Sequence, residues 1–430
     1  MTKELSNSSS PPPAFRSVLG VDNVEIDLKN PDFHARADQY ELLKYLRDND
    51  PIYWNREIDG PGFWAVMRYE DVETVTRARD IFSADYKRGG FRINDIPKAL
   101  EDRRPDIFTT DPPDHTVYRK AYLPVFSPEA VDTFKSSVQR RVRRVIVNVA
   151  SQGHADFVSD IASPIVVGLL TDLIDLPVSD TAKLIQWSNA LVGNDDSEYC
   201  PSIEYRINCV QELDRYVGEL VKERAGSDRS DILTILTRLT VENAPLDVDA
   251  ISESFASLIV ATIEATRHTI TRSMLTLSEF PDEKQKLLAD LSLMPVATKE
   301  FLRWATPGIH ARRTATRDTV LSGQEIKEGD KVVLWYKSAN RDERRWADAN
   351  QFRVDRFSTN NTPAHIAFGS GINHCLGWRY AEMQITLLFE ELLAVLPDIH
   401  TVGSPQFLRS NFISGIKTLN VEFSPVSYTA

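Results

Sequence analysis

The sequence predicts a mainly helical protein with small β sheets, folded as a single domain. Three observations lead to this class. Apolar residues recur at three- and four-residue spacing through most of residues 128–305, which is the pattern of amphipathic helices. Short apolar and aromatic runs beside turns that contain glycine, which are typical of strands, occur mainly before residue 70 and after residue 318. No Pro/Gly/Ser-rich linker interrupts the chain after residue 39, so composition gives no support to a second domain.

The beginning of the chain predicts a disordered tail over residues 1–26, followed by one folded domain over residues 27–430. The tail carries a Ser/Asn run and three consecutive prolines, and it has no apolar segment of the secretory type. The longest apolar run, residues 165–170, is far shorter than the ~20 residues that a membrane span needs. We therefore expect no membrane span, a cytoplasmic location and a monomer.

The first predicted elements are two short strands at residues 52–54 and 63–67, separated by a Gly-Pro-Gly turn, and a helix at residues 70–79. Seven further helices follow from the apolar spacing: 128–149, 165–175, 181–192, 203–225, 231–239, 251–280 and 296–305. The segment 251–280 is close to the upper length of an ordinary globular helix. Hairpin strands are predicted over 319–337, then a Gly-rich turn at 369–371 and a last helix at 376–396.

Composition excludes several classes of protein. The 430 residues include 62 acidic and 50 basic side chains, a formal charge of −12, whereas a nucleic-acid-binding domain is usually basic. Hydrophobic residues make up 42% of the chain, which is enough for a large core. The three cysteines are too few, and odd in number, for a disulfide framework.

The most informative segment is Phe368-Gly-Ser-Gly-Ile-Asn-His-Cys-Leu-Gly377, which leads into the last predicted helix. Its glycines allow the backbone to bend tightly and to approach a flat ligand closely. Cys375 then stands at the beginning of a helix, where backbone N–H groups stabilise a thiolate of the kind that binds haem iron. Taken alone, Cys375 could equally be a small core residue. A zinc site is less favoured because no second pair of ligands is suitably spaced.

A second motif favours the interpretation of Cys375 as a haem ligand over that of a core residue. Glu300 and Arg303 form an E-x-x-R pair on one face of a predicted helix, and Arg356 follows in the segment Phe352-Arg-Val-Asp-Arg-Phe357. Together with the cysteine loop about 70 residues later, this order resembles the cytochrome P450 family of haem-thiolate monooxygenases, over nearly the whole of residues 27–423. The resemblance implies a single-domain cytochrome P450 fold, with haem between the long central helix and the helix after the cysteine.

The resemblance also implies a set of haem contacts. The iron of haem b would be bound by the Cys375 thiolate, and Phe368, Gly369 and Gly377 would surround the thiolate. Two propionate groups would meet His115 and Arg119, whose i, i+4 spacing places both on one helical face. A third donor is expected at Arg313, in preference to Arg312.

One position departs from the family pattern. Asn373 stands where the family usually has His or Arg, so it offers the propionates a neutral hydrogen bond instead of a charge. His374 lies one position off and is expected to point away from the haem.

The middle of the long helix departs further from the family pattern A-G-x-(D/E)-T. Here the residues are Ala261-Thr-Ile-Glu-Ala-Thr266, so Ala261 matches the small residue beside the haem and Glu264 matches the acid. Ala265 replaces the alcohol that would relay protons, and Thr262 replaces the glycine. A proton could instead come from Thr262, from Thr266, which is expected to be rotated away, or from a substrate hydroxyl with an ordered water. We favour the substrate or water, with Thr262 second.

The resemblance implies that a hydrophobic small molecule, such as a steroid, terpenoid, lipid or polyketide-like compound, is hydroxylated or epoxidised with O₂. Oxidative coupling, desaturation or rearrangement by the same haem is the alternative within enzymes, and a haem-binding protein of low turnover is the alternative outside them. The expected pocket side chains are mostly apolar: Tyr86, Phe91, Ile96, Phe108, Trp187, Ile309 and Phe412. A group of arginines in the same region, Arg88, Arg92, Arg103 and Arg104, is expected to be solvated and balanced by nearby acids, although it could bind a substrate carboxylate or phosphate.

Electrons are expected from a separate ferredoxin and its ferredoxin reductase, because the chain has no flavin or nicotinamide fingerprint. A basic cluster is the expected docking surface for the acidic ferredoxin: Arg140, Arg141, Arg143, Arg144, Lys120 and Arg379.

Overall fold

The computed structural model describes residues 26–95, 104–359 and 361–428, and helices dominate it. The predicted tail thus lies outside the described residues except for Ile26, which is buried. The helices are α1 (Gln39–Asn49), α2 (Tyr69–Arg77), α3 (Asp114–Tyr122), α4 (Pro128–Ala150), α5 (Ser163–Ile174), α6 (Thr181–Val192), α7 (Ile203–Arg224), α8 (Ile232–Thr237), α9 (Val248–Glu279), α10 (Pro281–Ala289), α11 (Met294–Ala305), α12 (Tyr336–Ala339) and α13 (Trp378–Val395).

The strands are short. They are β1 (Ile52–Asn55), β2 (Phe63–Val66), β3 (Phe82–Ser83), β4 (His154–Asp156), β5 (Thr240–Val241), β6 (Ala244–Pro245), β7 (His310–Ala315), β8 (Thr319–Leu321), β9 (Gln324–Ile326), β10 (Lys331–Trp335), β11 (His400–Thr401), β12 (Gln406–Phe407), β13 (Ile416–Thr418) and β14 (Asn420–Glu422).

Helix α9 is the centre of the fold. Its first turn is closed by the Asp247 side chain, which accepts a hydrogen bond from the Ala250 amide, and α10 begins at Pro281 directly after it. Helices α5, α6, α7 and α11 all pack against α9, and buried residues occur on most of its faces. This surrounding explains why its pattern is apolar nearly all round.

The segment that leads into α5 is the most apolar of the described chain. A π-helical turn, Phe157–Ala162, continues directly into α5. The window Phe157–Ile174 is long and apolar enough to cross a membrane, with a mean hydropathy of 1.7, yet 72% of it is buried inside the protein. Because it packs against α9 and α4, its hydropathy is explained by a core position.

The largest sheet has the strand order β1-β2-β10-β7-β3, with β10 parallel to β2 and antiparallel to β7. The prediction of hairpin strands over 319–337 is correct only for β8 and β9, because β10 leaves that hairpin and joins the large sheet. Strand β7 was not predicted from an apolar pattern, since it contains His310, Arg312 and Arg313. All its residues are nevertheless buried, so its polar side chains face an internal space.

A smaller sheet, β11-β14-β4, and the hairpin β12-β13 complete the side of the molecule next to the C-terminal half of α9. The loop between β12 and β13 carries Phe412 and Ile413, and Ile413 forms an isolated bridge with Gly308. These connections bring the loop after α11, the β12-β13 loop and α9 to one internal space.

Candidate active site

The cysteine loop forms one wall of an internal cavity of about 490 Å³. Gly369 and Gly371 adopt positive φ angles of 69° and 63°, which only glycine adopts readily, and the Cys375 amide donates to the Phe368 carbonyl at 2.9 Å. The Cys375 side chain is exposed to this cavity. Helix α13 begins three residues later, with Gly377 at the N-cap position.

The loop only partly prepares Cys375 as a thiolate. Burial by the surrounding protein raises the pKa of the Cys375 thiol, while hydrogen bonds from the Gly377 and Trp378 amides and the charge of Arg119 lower it. The expected amide hydrogen bonds are therefore present, but in the protein alone burial outweighs them. A positive metal ion at the sulfur would reverse this balance.

Cationic side chains gather beside the cysteine loop. His115 and Arg119 of α3 line the same cavity, and Arg119 Nη1 donates to the His374 carbonyl at 2.9 Å. Arg313 of β7 also lines the cavity, whereas Arg312 turns away and pairs with Asp95 at 2.8 Å.

A further cationic side chain, Arg79, lies near Arg313 and His115 and was not among the predicted residues. Its side chain is buried, pairs with Asp111, and has no acceptor for Nε or Nη1 in the described chain. No motif marks this arginine, which follows α2 in an ordinary turn. Burial, and then the nearby charge of Arg313, lower the pKa of Arg79 to about 10.

This end of the cavity suits an anionic ligand. Burial, and then the charges of Arg79 and Arg119, lower the pKa of His115 to about 4. The Nε of Arg313 is buried without an acceptor in the described chain, and burial lowers the pKa of Arg313. Because buried cations are usually paired, these side chains fit a group with two carboxylates. A soft sulfur donor and a dianion-binding rim in one cavity fit haem b.

Two loop residues complete this wall. Asn373 lines the cavity as expected, and its Oδ1 atom has no hydrogen-bond partner in the described chain. His374 was expected to point away, but it also lines the cavity, and its ring packs between those of Phe368 and Trp378. Gly369, Phe368 and Gly377 line the cavity beside them.

Helix α9 forms the facing wall. Its lining residues near the middle are Ala261, Thr262, Ala265, Thr266 and Thr269. The expectation that Thr266 is rotated away is wrong, because it lines the cavity one residue after Ala265. Thr269 was missed by the sequence analysis; it lies one turn after Ala265 and donates its hydroxyl to the Ala265 carbonyl at 2.8 Å.

Glu264 does not lie on that wall. Its carboxylate is fully buried behind α9, where it accepts hydrogen bonds from Arg267 at 2.7 Å, from Ser188 of α6 at 2.6 Å and from His268 Nε2 at 3.0 Å. Burial raises the pKa of Glu264, but Arg267 and the hydrogen bonds outweigh burial and lower the pKa to about 2. The expectation that Glu264 acts beside the haem therefore meets a geometric objection, since the carboxylate faces away and stays ionised.

The loop between β12 and β13 approaches α9 behind the cavity wall. The Ile416 amide donates to His268 Nδ1 at 3.2 Å, so Nε2 carries the proton that is donated to Glu264. A Cβ atom on Gly415 would lie only 2.8 Å from the His268 ring. Only glycine fits at this position without displacing either element.

The second sequence motif is confirmed as a buried ion-pair network. Arg303 binds both oxygens of Glu300 at 2.7 Å, and Arg356 Nε donates to Glu300 at 3.1 Å. Arg303 also donates to the carbonyls of Asn340 and Ala349, so the network holds the segment before the cysteine loop against α11.

The predicted pocket side chains are partly correct. Tyr86, Phe91, Phe108 and Phe412 line the cavity. Trp187 is wrong, because it packs against Tyr216 in the core, and Ile309 is wrong, because it is buried beneath the large sheet. Ile96 lies outside the described residues.

The cavity is also more polar than the sequence predicted. Charged or amide side chains in its wall include Arg92, Asn94, Asp95, Arg104, Asn194, Arg206 and Glu253. Across residues 26–95, 104–359 and 361–428, no cluster of three or more His, Cys, Asp or Glu side chains is placed to hold a metal ion.

Comparison with known proteins gives consistent matches. The sequence model of the family described as Cytochrome P450 matches residues 199–395. The linalool 8-monooxygenase of Pseudomonas putida is 35% identical, over 93% of this chain and 99% of that protein. The steroid C26-monooxygenase of Mycobacterium tuberculosis is 33% identical, over 93% of this chain and 92% of that protein. A solved cytochrome P450 of Mycobacterium marinum, in complex with pseudoionone, has a TM-score of 0.86 at 29% identity, over 94% of this chain and 100% of that one.

Proposed function

Because this chain belongs to the cytochrome P450 family and is a haem-thiolate monooxygenase, we propose that it oxidises a terpenoid, branched lipid or steroid at the cavity between α9 and the cysteine loop. The observation that supports this most is the coincidence, in one cavity, of a cysteine sulfur and a rim of buried cations. The chemistry that haem b supplies when bound is the reductive activation of O₂, with one oxygen atom entering the substrate and the other leaving as water.

The residues of this chain would hold the cofactor from two sides. Cys375 would bind the iron, and the hydrogen bonds from the Gly377 and Trp378 amides would help to stabilise its thiolate once the metal is bound. His115, Arg119 and Arg313 would bind the two propionates, with Asn373 as a neutral neighbour. Phe368 and Ala261, which line the same cavity, would contact the cofactor.

The substrate class is proposed from the relatives and from the cavity wall. Curated relatives are named for linalool, methyl-branched lipids and steroids, and the solved Mycobacterium marinum protein was crystallised with pseudoionone. All these names describe molecules with a branched hydrocarbon part. The aromatic rings of Phe91, Phe108 and Phe412 contact one another at centroid distances of 5.5 and 5.8 Å, which forms a wall suited to such a part.

Proton delivery is proposed to use hydroxyl groups that surround Ala265. In the described chain, Thr262 and Thr266 line the cavity and their hydroxyls make no hydrogen bond to protein. We therefore assign the proton path to Thr262, or to a substrate hydroxyl with a water held between these threonines. Glu264 acts as a positioning residue, because its buried hydrogen bonds fix this part of α9.

A ferredoxin is the proposed electron donor, and its docking surface is narrower than the sequence suggested. Arg140, Arg143 and Arg144 of α4 are exposed, but Arg141 is largely buried and pairs with Asp172 at 2.8 Å. Lys120 is exposed, and the Arg379 guanidinium stacks on Trp378 at 4.3 Å, near the cysteine loop. An acidic ferredoxin would be attracted to these side chains.

Carbon monoxide binding to the reduced holoenzyme tests the ligand assignment. We expect the red-shifted Soret band of a thiolate-bound haem in the wild type and its loss in Cys375→Ala. Cys209→Ala, which removes a buried thiol in α7, should keep the band. Retention of the band in Cys375→Ala, or its absence from folded wild-type holoenzyme, would contradict the proposal.

Product analysis under ¹⁸O₂ tests the reaction. A panel of terpenoids, branched fatty acids and steroids is first screened by the spectral shift that accompanies displacement of the water bound to the haem. One ¹⁸O atom in the product of the best ligand is the expected result. A product without ¹⁸O would indicate that the enzyme catalyses coupling, desaturation or rearrangement instead of oxygen insertion.

A further inference from the structure

Arg92 carries a charge that the described chain does not neutralise. It lies in the segment after β3, and it lines the cavity. Its Nη1 atom donates to the Leu191 carbonyl, near the end of α6, at 3.1 Å. Among the described residues, no carboxylate forms an ion pair with it. Of the three acids expected to balance this arginine, Asp106 forms no ion pair with it, and Glu101 and Asp102 lie outside the described residues.

The Nε–Nη2 edge of Arg92 has no acceptor in the described chain. This edge presents two parallel N–H groups, which match the two oxygens of a carboxylate. The same protein uses this edge in that way elsewhere. Arg303 binds Glu300 through Nε and Nη2 at 2.7 Å each, and Arg409 binds Asp32 at 2.6 and 3.0 Å.

Aromatic rings hold the Arg92 guanidinium in place. Its central carbon lies 4.5 Å from the centroid of the Phe412 ring and 5.9 Å from that of Phe91. Stacking on aromatic faces limits the rotation of the side chain, while the hydrogen bond to Leu191 fixes its end. The open edge is therefore presented in a defined orientation beside the aromatic wall.

The electrostatic surroundings favour an anion at this position. Burial, and then the charge of Arg206, which also lines the cavity, lower the pKa of Arg92 to about 10. The carboxylates of Glu253, Asp106 and Asp195 act in the opposite sense, from beyond ion-pairing distance. Arg92 is thus protonated at neutral pH, yet no carboxylate among the described residues forms the ion pair that a largely desolvated cation favours.

Neighbouring charges in the wall are already compensated. Arg104 pairs with Asp247 at 3.0 Å, and Asp95 pairs with Lys331 at 2.9 Å. Arg92 differs from Arg104 and Asp95 because its Nε–Nη2 edge has no acceptor among the described residues.

We propose that Arg92 forms an anion subsite in the substrate cavity, and that the substrate carries a carboxylate bound to the Nε–Nη2 edge. The hydrocarbon part would then lie along Phe91, Phe108 and Phe412 toward α9. This inference rests on the proposed function and narrows its substrate class to amphipathic acids. The competing role of Arg92 is to cap α6 through Leu191, which requires only one of its N–H groups.

The test compares citronellic acid with citronellol, which share one branched skeleton and differ in charge. Binding of each to the haem-loaded protein is followed by the spectral shift of the haem, at fixed pH 7.5 and fixed ionic strength. We expect the wild type to bind the acid about tenfold or more tightly than the alcohol, and Arg92→Gln to lose this preference with little change for the alcohol. Arg92→Lys should keep part of the preference, and Arg215→Gln, at an exposed site on α7 away from the cavity, should keep all of it.

Two results would overturn the subsite. One is wild-type protein that binds citronellic acid no more tightly than citronellol. The other is Arg92→Gln that weakens both ligands equally, which is the effect of a structural cap on α6. Both leave the proposed function intact if the carbon monoxide complex shows the thiolate band. Loss of that band in folded wild type would refute the proposed function separately.

Discussion

Ala265 poses the sharpest question at the scale of single residues, because a methyl group occupies the place of a proton-donating alcohol. Two hydroxyls flank it, those of Thr262 three residues earlier and of Thr266 one residue later. Thr269 cannot serve as freely, since its hydroxyl is committed to the Ala265 carbonyl. The arrangement therefore leaves Thr262 and Thr266 as the side chains able to hold a water at the cavity wall.

Thr262→Val removes one of these hydroxyls at constant volume. We expect the ratio of product formed to electrons consumed to fall, because general acid assistance is worth roughly 10²–10⁴-fold in rate. Thr276→Val, which removes a hydroxyl bonded to the Arg272 carbonyl farther along α9, is the matched control. If Thr262→Val leaves the ratio of product to electrons unchanged, and substrates without a hydroxyl lower it, the proton donor is the substrate and not Thr262.

Spacing in the sequence predicted that some side chains lie together, and their binding of propionates stays a prediction, whereas Glu264, also part of a spaced motif, lies away from the cavity wall. His115 and Arg119 are placed together by helical periodicity, and the structure brings both to the cavity wall. Arg79 and Arg92 could not be assigned in this way, because each is defined by partners far along the chain. Arg92 meets Leu191 and Phe412, and nothing in the local sequence shows that these residues bury it.

At the scale of elements, the Glu264 network joins three parts of the fold. Ser188 belongs to α6, Arg267 and His268 to α9, and His268 accepts a hydrogen bond from the amide of Ile416 in β13. Asn189 of α6 also accepts from Arg267, at 3.0 Å. Removal of the central carboxylate would leave a buried guanidinium without its counter-charge.

Glu264→Gln should lower the free energy of unfolding by about 3–5 kcal/mol at pH 7. The pKa of Glu264 is lowered to about 2 in the fold from an ordinary value of 4.5, so the carboxylate stabilises the fold above pH 4.5. The difference between wild type and variant should then shrink as pH falls from 4.5 toward 2.

Urea unfolding over this pH range measures the effect. Glu279→Gln, an exposed carboxylate at the end of the same helix, is the control and should change stability by less than about 0.5 kcal/mol. Equal stability of Glu264→Gln and wild type at pH 7 would show that the network is not stabilising.

Elements with strong periodicity were predicted closely, and two of the elements that were missed, β7 and α3, share one cause. Helix α6 was predicted with its observed bounds, and α4 to within one residue. Strand β7 and helix α3 have few apolar residues, and several of their polar side chains line the cavity: His310, Arg313, His115 and Arg119. The apolar spacing of these two elements is weak because these side chains face a ligand site instead of the protein core.

At the scale of the whole molecule, charge is distributed unevenly. The chain carries a net charge of −12, yet Arg140, Arg143 and Arg144 are exposed together on α4. Helix α4 packs against α13, the helix that follows Cys375. A local positive surface on an acidic protein favours one orientation of an acidic partner.

Arg140→Glu with Arg144→Glu should slow the first electron transfer from a ferredoxin by about tenfold at low salt. The difference should vanish near 0.5 M salt, because the Debye length then falls to roughly 4 Å. Stopped-flow reduction under carbon monoxide measures this rate. Arg215→Glu, the same charge change at an exposed site on α7, is the control. A rate that is indifferent to salt and to the α4 reversals would exclude electrostatic docking there.

The fold class of the whole molecule could be predicted from the sequence, whereas the packing of its helices and strands against one another could not. Helical periodicity shows which face of α5 is apolar, but not that α9 covers it. Strand β10 illustrates the limit, since its pairing with β2 joins residues more than 260 positions apart. Such contacts depend on the shape of the assembled core and have no local signature.

The contact between Gly415 and His268 has a consequence for how specificity could diversify. The loop from Leu408 to Ile413 contributes Phe412 to the substrate wall, and the Ile416 amide, next to Gly415, joins the following strand to His268 of α9. A change of the Phe412 side chain can therefore reshape the wall while this hydrogen bond stays in place. An Ala at 415 would instead press on His268 and disturb the charges behind the helix. A lineage exploring new substrates can therefore vary Phe412, which faces the cavity, more freely than Ser410, Asn411 or Gly415, whose contacts are buried.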